Sequence, residues 1–314
     1  VSLFARPSSA EVHEQNGRLA MLLMAGFSIV WVAIEIGVGL RLGERYNLMQ
    51  VVWCRYGVHL ATMLLLFGWR RPALLWSTSR PAYHVLRSLL MLVMPGSYVL
   101  SVQQGLSGDT VMMVFWLSPL CIAAAAHVML GERVSAWQWA AAGLGAVAAC
   151  AMFRPSPPSS LWLLILPVLM MLSFSIYVVM TRALRFERLR ANMFYTALGV
   201  FVVLTPMVPS FWITPGPGDA VVMVLVGLFG AVALLLLDRS TSYAPVAATA
   251  PILYSNVVAM TAFTLLLWRD VPSARVLASS AIIGLIIVAA WLLEGRRPAA
   301  RSMVAAAHAE GTLR

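Results

Sequence analysis

The chain has 314 residues, 61% hydrophobic and only 11% charged, with a mean hydropathy of +0.85; soluble domains carry about 25% charged residues, so a water-facing globular domain is excluded and a polytopic membrane protein is indicated. All 22 basic residues are arginine, and a chain without lysine holds neither a Walker A loop nor a Schiff base with retinal or pyridoxal phosphate, which rules out an ATPase with its own nucleotide site and a retinal pump. A net charge of +10 fits either nucleic-acid binding or the arginine-rich cytoplasmic loops of a membrane protein, and the placement of the arginines decides between them.

Residues 1–17 are polar, with Arg6, Pro7, Glu11 and Glu14. They lack the charged, apolar, small-residue order of a cleavable leader and read as a cytoplasmic tail. Ten apolar segments follow, each near the ~20 residues that cross a hydrocarbon core as a helix. The first, residues 19–40, carries Trp31 and Glu35; the second, 48–67, carries Cys54, Arg55 and His59. The third, 84–104, holds Arg87, Pro95, Tyr98 and Ser101. The turn Ser107-Gly108-Asp109 opens the fourth, 110–130, which contains Trp116, Ser118, Pro119, Cys121 and His127 and closes on Gly131-Glu132-Arg133. The fifth, 135–153, carries the small-residue run from Ala140 to Gly145, which permits close helix approach within one chain or between two copies. A Pro-rich external linker, 154–160, leads to the sixth segment, 161–181, with Pro167 and Tyr177. The seventh, 192–211, and the eighth, 220–237, flank Pro215-Gly216-Pro217-Gly218. The ninth, 244–267, contains Pro245, Pro251, Tyr254 and Asn256 and ends at Trp268-Arg269-Asp270; the tenth spans 273–293, and a tail occupies 296–314.

With an even number of spans both termini share a side. Placing them in the cytoplasm puts 15 arginines in inner segments and 5 in outer loops. That bias fits a cytoplasmic (inner) membrane with both termini inside, and it explains the basic charge through lipid headgroups without nucleic acid. A weak duplication is also visible. In each half a small-polar turn opens the fourth segment, a proline interrupts it, and an acidic turn closes it. Five spans per half is odd, so the halves, 18–153 and 161–295, face opposite ways across the bilayer. The expected fold is all-α, ten transmembrane helices in two inverted five-helix repeats, with a substrate site near the midplane at their interface.

Ser118-Pro119, the run Leu130-Gly131-Glu132-Arg133-Val134 and Gln138 through Gly143 resemble the end of the first repeat in the drug/metabolite transporter superfamily, specifically its EamA-type ten-helix carriers. Ser175-Ile176-Tyr177-Val178-Val179-Met180-Thr181-Arg182 is similar to that family's sixth helix, and Asp270 stands where a glutamate is usual. The resemblance covers about residues 18–295. It implies a secondary active transporter working by alternating access, driven by a proton or substrate gradient, often an exporter of amino acids, amines or related metabolites. It also implies a cavity lined by the first, third, fourth, sixth, eighth and ninth helices. An importer of sugars or nucleotide sugars on the same fold is the alternative. A lipid-modifying membrane enzyme is a second class, disfavoured because the 12 acidic residues are scattered.

Glu35 is the only acidic residue well inside a segment, roughly 8–9 Å from its outer end. An intramembrane carboxylate is costly. Three roles fit it: a structural ion pair with Arg55, which lies at comparable depth, a substrate-amine or proton site, or snorkelling to the interface. Trp31, Tyr98, Ser101, Trp116, Ser118, Tyr177, Tyr254 and Asn256 supply the hydroxyl, amide and indole groups expected to contact substrate. Pro119 and Pro251, counterparts in the duplication, are the expected hinges. Arg87 is expected to snorkel to the inner interface, Asp109 to cap the fourth helix, with an extracellular gate as the alternative, Asp238-Arg239 to form a local or interfacial pair, and Glu132 and Asp270 to anchor loops. His59 and His127 read as packing residues. The three cysteines lack metal spacing and read as packing residues too, so no metal or other cofactor is expected. The expected partners are a small-molecule substrate and the bilayer.

Overall fold

The computed structural model describes residues 17–68, 73–269 and 271–295. The regular structure among those residues is all helical, with no strand among them. The expected tails, and Asp270 with its anchoring role, lie outside the described residues apart from Gly17.

Eight helices are long and apolar enough to cross a membrane. They are α1 (Gly17–Gly37), α2 (Leu48–Gly68), α3 (Pro81–Gln103), α4 (Gly108–Leu130), α6 (Leu161–Ala183), α8 (Pro217–Tyr243), α9 (Val246–Leu267) and α10 (Ala274–Leu293). Two shorter apolar helices, α5 (Ala136–Met152) and α7 (Leu189–Leu204), occupy the fifth and seventh positions. The seventh segment ends earlier than its apolar run predicts. Pro206 removes a backbone donor just past Leu204, and the chain turns into a short 3₁₀ segment at Val208–Phe211. The eighth runs longer, 27 residues or ~40 Å, before Ala244-Pro245 stops it.

The helix ends follow local chemistry. The Asn47 side chain accepts the Met49 N–H at 2.8 Å, opening α2. Ser107, not Asp109, caps α4, accepting the Thr110 N–H at 3.2 Å; Asp109 instead accepts the Arg154 N–H at 2.9 Å and ties α4 to the loop after α5. Gly131, at φ 66, ends α4 in the left-handed conformation that glycine adopts without strain. A capping box between Ser135 and Gln138 then starts α5.

The packing has a two-fold pattern. The most extensive contacts are α1 with α8 and α3 with α6, and α2 with α8 and α3 with α7 form a further such pair. The C-terminal half of α4 packs on α6, and that of α9 on α1. Exchanging each helix for the one five places along turns each pair into the other. The pairs α5–α10 and α2–α7 map onto themselves. Large apolar side chains such as Leu65, Leu66, Val128, Val147, Leu161 and Leu285 face outward, as a lipid-facing surface requires.

Both prolines assigned as hinges sit at helix breaks. Helix α4 is interrupted by a turn at Trp116–Leu117, immediately before Ser118-Pro119. Helix α9 begins as one α-turn, tightens to a 3₁₀ segment at Ala250–Tyr254 that contains Pro251, and resumes as α-helix at Ser255. Each half thus breaks its fourth helix near its middle.

Polar clusters join the halves at both ends. At one end Asp219 takes hydrogen bonds from Arg41 Nε at 2.5 Å, Arg45 Nη1 at 3.3 Å and the Tyr46 hydroxyl at 2.9 Å. Burial and the neighbouring carboxylate both hold the Tyr46 phenol above its ordinary pKa, so it stays a donor. At the other end Glu132 accepts from Arg182 Nε at 3.3 Å and from the Ala247 N–H at 3.2 Å, while Arg182 Nη1 donates to the Thr241 carbonyl at 2.7 Å. Glu132 is thus the expected loop anchor, and it also caps α9.

Arg87 does not snorkel. It is fully buried, donating to Thr181 Oγ1 at 3.0 Å, the Asn192 carbonyl at 2.5 Å and Thr196 Oγ1 at 2.7 Å. Asp238 lies 3.7 Å away and accepts from Asn192 Nδ2 at 3.0 Å. Asp238 is therefore the counter-ion of Arg87, and it also interacts with the charge of its neighbour Arg239. A paired, hydrogen-bonded ion inside the bundle costs less than an interfacial position would gain only where such partners converge, and α6, α7 and α8 supply them.

Candidate functional site

The broken helices α4 and α9 meet α1, α3 and α6 around a partly enclosed cavity. It holds about 330 Å³ of empty space, part of it open to solvent. Phe27, Ser28, Trp31 and Glu35 line it from α1, where spacings of three and four residues place them on one helical face. Phe115 and Trp116 come from the break in α4, Met94 from α3, Phe174 from α6, and Leu253 and Asn256 from the break in α9.

The walls are aromatic. Phe27 and Trp31 lie 5.6 Å apart between ring centroids, Phe115 and Trp116 5.5 Å, and Phe115 and Phe174 5.5 Å. Such faces hold cations and flat rings. Glu35 is the only ionisable residue among those lining the cavity. Asn256 Nδ2 donates to Glu35 Oε2 at 3.4 Å, and the Trp31 side chain also hydrogen-bonds this carboxylate.

The direct Glu35–Arg55 ion pair considered from sequence is not formed. Arg55 stacks instead on Trp31, its guanidinium carbon 4.7 Å from the ring centroid, and on Tyr56 at 5.0 Å. Trp31 therefore touches both charges. Gly230 on α8 makes room for this arrangement, since a Cβ there would sit 2.6 Å from Arg55 Nε.

Of the nine contacts expected from sequence, the cavity brings together Trp31, Glu35, Trp116 and Asn256. The other five lie elsewhere. The Tyr98 hydroxyl faces Gly108. Ser101 is turned onto its own helix, donating to the Ser97 carbonyl at 2.7 Å. Ser118 is buried with its hydroxyl unpaired. Tyr177 lies under Arg87, 5.2 Å from its guanidinium carbon. Tyr254 packs on α5 and donates to the Trp116 and Ala142 carbonyls at 3.3 and 3.0 Å. It fills the notch at Gly145, where a Cβ would come within 2.3 Å of the Tyr254 ring, so that end of the small-residue run packs within the chain. Phe27, Ser28, Met94, Phe115, Phe174 and Leu253 were not singled out by sequence. For Phe27 and Ser28 the signal was present, because both share the Trp31–Glu35 face at helical spacing.

His59 is buried and stacks on Tyr56, whereas His127, expected to pack, is exposed and pairs with the Glu132 carbonyl at 3.0 Å. The cysteines are free. Among the described residues no group of histidine, cysteine, aspartate and glutamate could hold a metal.

Residues 18–154 match the EamA-like transporter family. The S-adenosylmethionine uptake transporter of Rickettsia prowazekii (strain Madrid E) is 24% identical over 82% of this chain and 87% of its own length. Those of Rickettsia felis and Rickettsia bellii are each 24% identical over 77% of this chain, covering 82% and 83% of theirs. One crystal structure superposes with a TM-score of 0.76 at 16% identity, covering 88% of this chain and 98% of that one, which shows a shared fold. The family and these relatives are transporters, in keeping with the expectation of a carrier over an enzyme. A multi-pass helical bundle and a cavity at two broken helices thus occur in a chain whose residues 18–154 are similar to the EamA-like transporter family.

Proposed function

We propose that this chain is a ten-span carrier of two inverted repeats, 18–153 and 161–295, joined by the external linker 154–160, with both termini in the cytoplasm. On this reading α5 and α7 cross the membrane with the eight longer helices, and bending of α4 and α9 at Pro119 and Pro251 alternates access to the cavity. The exchange symmetry of the packing supports it. The arginine bias supports the orientation and an inner-membrane location.

The substrate we propose is a small organic cation or zwitterion with a flat ring, S-adenosylmethionine being the leading candidate. The observation that carries this is the cavity wall itself: aromatic faces around one carboxylate, Glu35. Such a wall attracts positive charge and stacks planar groups. It carries no cation to hold a phosphate, which disfavours nucleotide sugars. The relatives are named for uptake, so import replaces the export expected from the resemblance. Glu35 is also the group through which coupling to protons would run. The test is uptake of labelled S-adenosylmethionine into proteoliposomes. Saturable uptake above protein-free vesicles supports the reading, and flux of neutral sugars in its place would overturn it.

A further inference from the structure

The polar corner of the cavity has more acceptor capacity than donors. Ser28 Oγ donates to the Leu253 carbonyl at 3.4 Å, and Asn256 Nδ2 lies 3.4 Å from both the Ser28 carbonyl and Glu35 Oε2. Three acceptor oxygens, from both halves of the chain, thus converge here, and the side-chain donors that reach them are the Ser28 hydroxyl, the Asn256 amide and the Trp31 side chain. The Ser28 and Asn256 contacts, each 3.4 Å, are long beside the ~2.9–3.0 Å of a well-made N–H···O bond. Ser28, Leu253 and Asn256 are 1%, 3% and 6% exposed, so bulk water does little to complete them. A carbonyl has two lone pairs and a carboxylate about four, so this corner keeps acceptor capacity that its long side-chain contacts fill poorly, which favours a ligand that brings donors.

The kind of donor follows from the set. A primary ammonium carries three N–H donors and a positive charge at one point, matching a carboxylate flanked by carbonyls. A quaternary ammonium or a sulfonium brings the charge without an N–H. The aromatic walls accept either kind of cation, so the acceptor corner has to discriminate.

We propose that Glu35, the Ser28 and Leu253 carbonyls and the Asn256 side chain form a subsite for a primary ammonium group. The rest of the substrate lies along Trp31, Phe115, Trp116 and Phe174. On binding, an ammonium N–H takes the place of the Ser28 hydroxyl at the Leu253 carbonyl. The inference rests on the carrier reading and sharpens it: of the two cationic centres of S-adenosylmethionine, the amino end meets Glu35 and the sulfonium does not.

The experiment compares two probes of equal charge, 2-phenylethylamine and its N,N,N-trimethyl derivative, by ligand-induced shift of the melting temperature of the purified full chain. The primary amine is expected to bind about 30-fold more tightly, because the trimethyl group leaves two buried acceptors without donors. In E35Q the amine should weaken by at least about tenfold. Equal or tighter binding of the trimethyl probe overturns the proposal, as does no binding of either at about 10 mM. The preference is read in the unaltered protein, so it stands even if E35Q fails to fold. Amine preference without S-adenosylmethionine uptake would remove that substrate and leave the subsite. Uptake without amine preference would do the reverse.

Discussion

The hydroxyl of Tyr254, in the 3₁₀ break of α9, donates to the carbonyl of Trp116, in the break of α4, at 3.3 Å. The same hydroxyl reaches the Ala142 carbonyl of α5 at 3.0 Å. A break frees backbone groups that must find partners inside a membrane bundle. Here the break in one half is satisfied by a side chain from the break in the other. Serines repeat the device: Ser28 of α1 donates to Leu253 in α9, and Ser175 of α6 donates to the Ser118 carbonyl in α4 at 3.3 Å. The first helix of each half thus holds the broken fourth helix of the other.

Tyr254→Phe keeps the ring against Gly145 and removes only the hydroxyl. It should cost about 1 kcal/mol of stability, seen as a modest fall in melting temperature. Transport should slow while substrate affinity changes little, because the phenol ties the break in α9 to the break in α4 and does not line the cavity. A proteoliposome uptake series separates KM from maximal rate.

Gly145 and Gly143 form a matched pair of controls. A Cβ at Gly145 would press to 2.3 Å from the Tyr254 ring, whereas one at Gly143 meets nothing within 4 Å. Gly145→Ala should destabilise by about 1–3 kcal/mol through overpacking. Gly143→Ala should be neutral or slightly stabilising, and thermal unfolding of the two variants side by side checks the ordering.

Arg87→Leu leaves Asp238 buried without its counter-ion. A loss of about 3–5 kcal/mol is expected, enough to collapse expression of folded protein. The double replacement Arg87→Leu with Asp238→Leu removes both charges and should recover much of that loss. Gel-filtration yield of the three variants reads the outcome, and full stability of the single variant would mean the arginine reaches the interface after all.

Glu35 and Arg55 are joined only through Trp31, so exchanging them should not restore function. Glu35→Gln is expected to fold normally, and the swapped pair E35R with R55E to fold poorly. The swap puts a bulky guanidinium into the cavity and takes the cation off the Trp31 and Tyr56 faces. Restoration of folding and transport by the swap would establish a direct pair.

Much of the bundle was legible because ten apolar runs separated by Pro, Gly and Ser turns leave little freedom. Trp31 and Glu35 could be read as one face because α1 stays regular from Gly17 to Gly37. Tyr254 could not. The 3₁₀ segment at Ala250–Tyr254 turns by three residues instead of 3.6, rotating Leu253 and Asn256 into the cavity and Tyr254 onto α5. Arg87 was misread for another reason. Thr181, Asn192, Thr196 and Asp238 lie 94 to 151 positions away, and no local pattern announces that three other helices converge on it.

The proposed transport site is the cavity around Glu35. Saturable uptake of labelled S-adenosylmethionine, measured in proteoliposomes holding equal amounts of folded wild-type or E35Q protein, tests it most directly. The prediction is uptake by the wild type and, in E35Q, a signal no higher than that of empty vesicles. E35Q uptake with unchanged KM and unchanged maximal rate would place the transport site elsewhere.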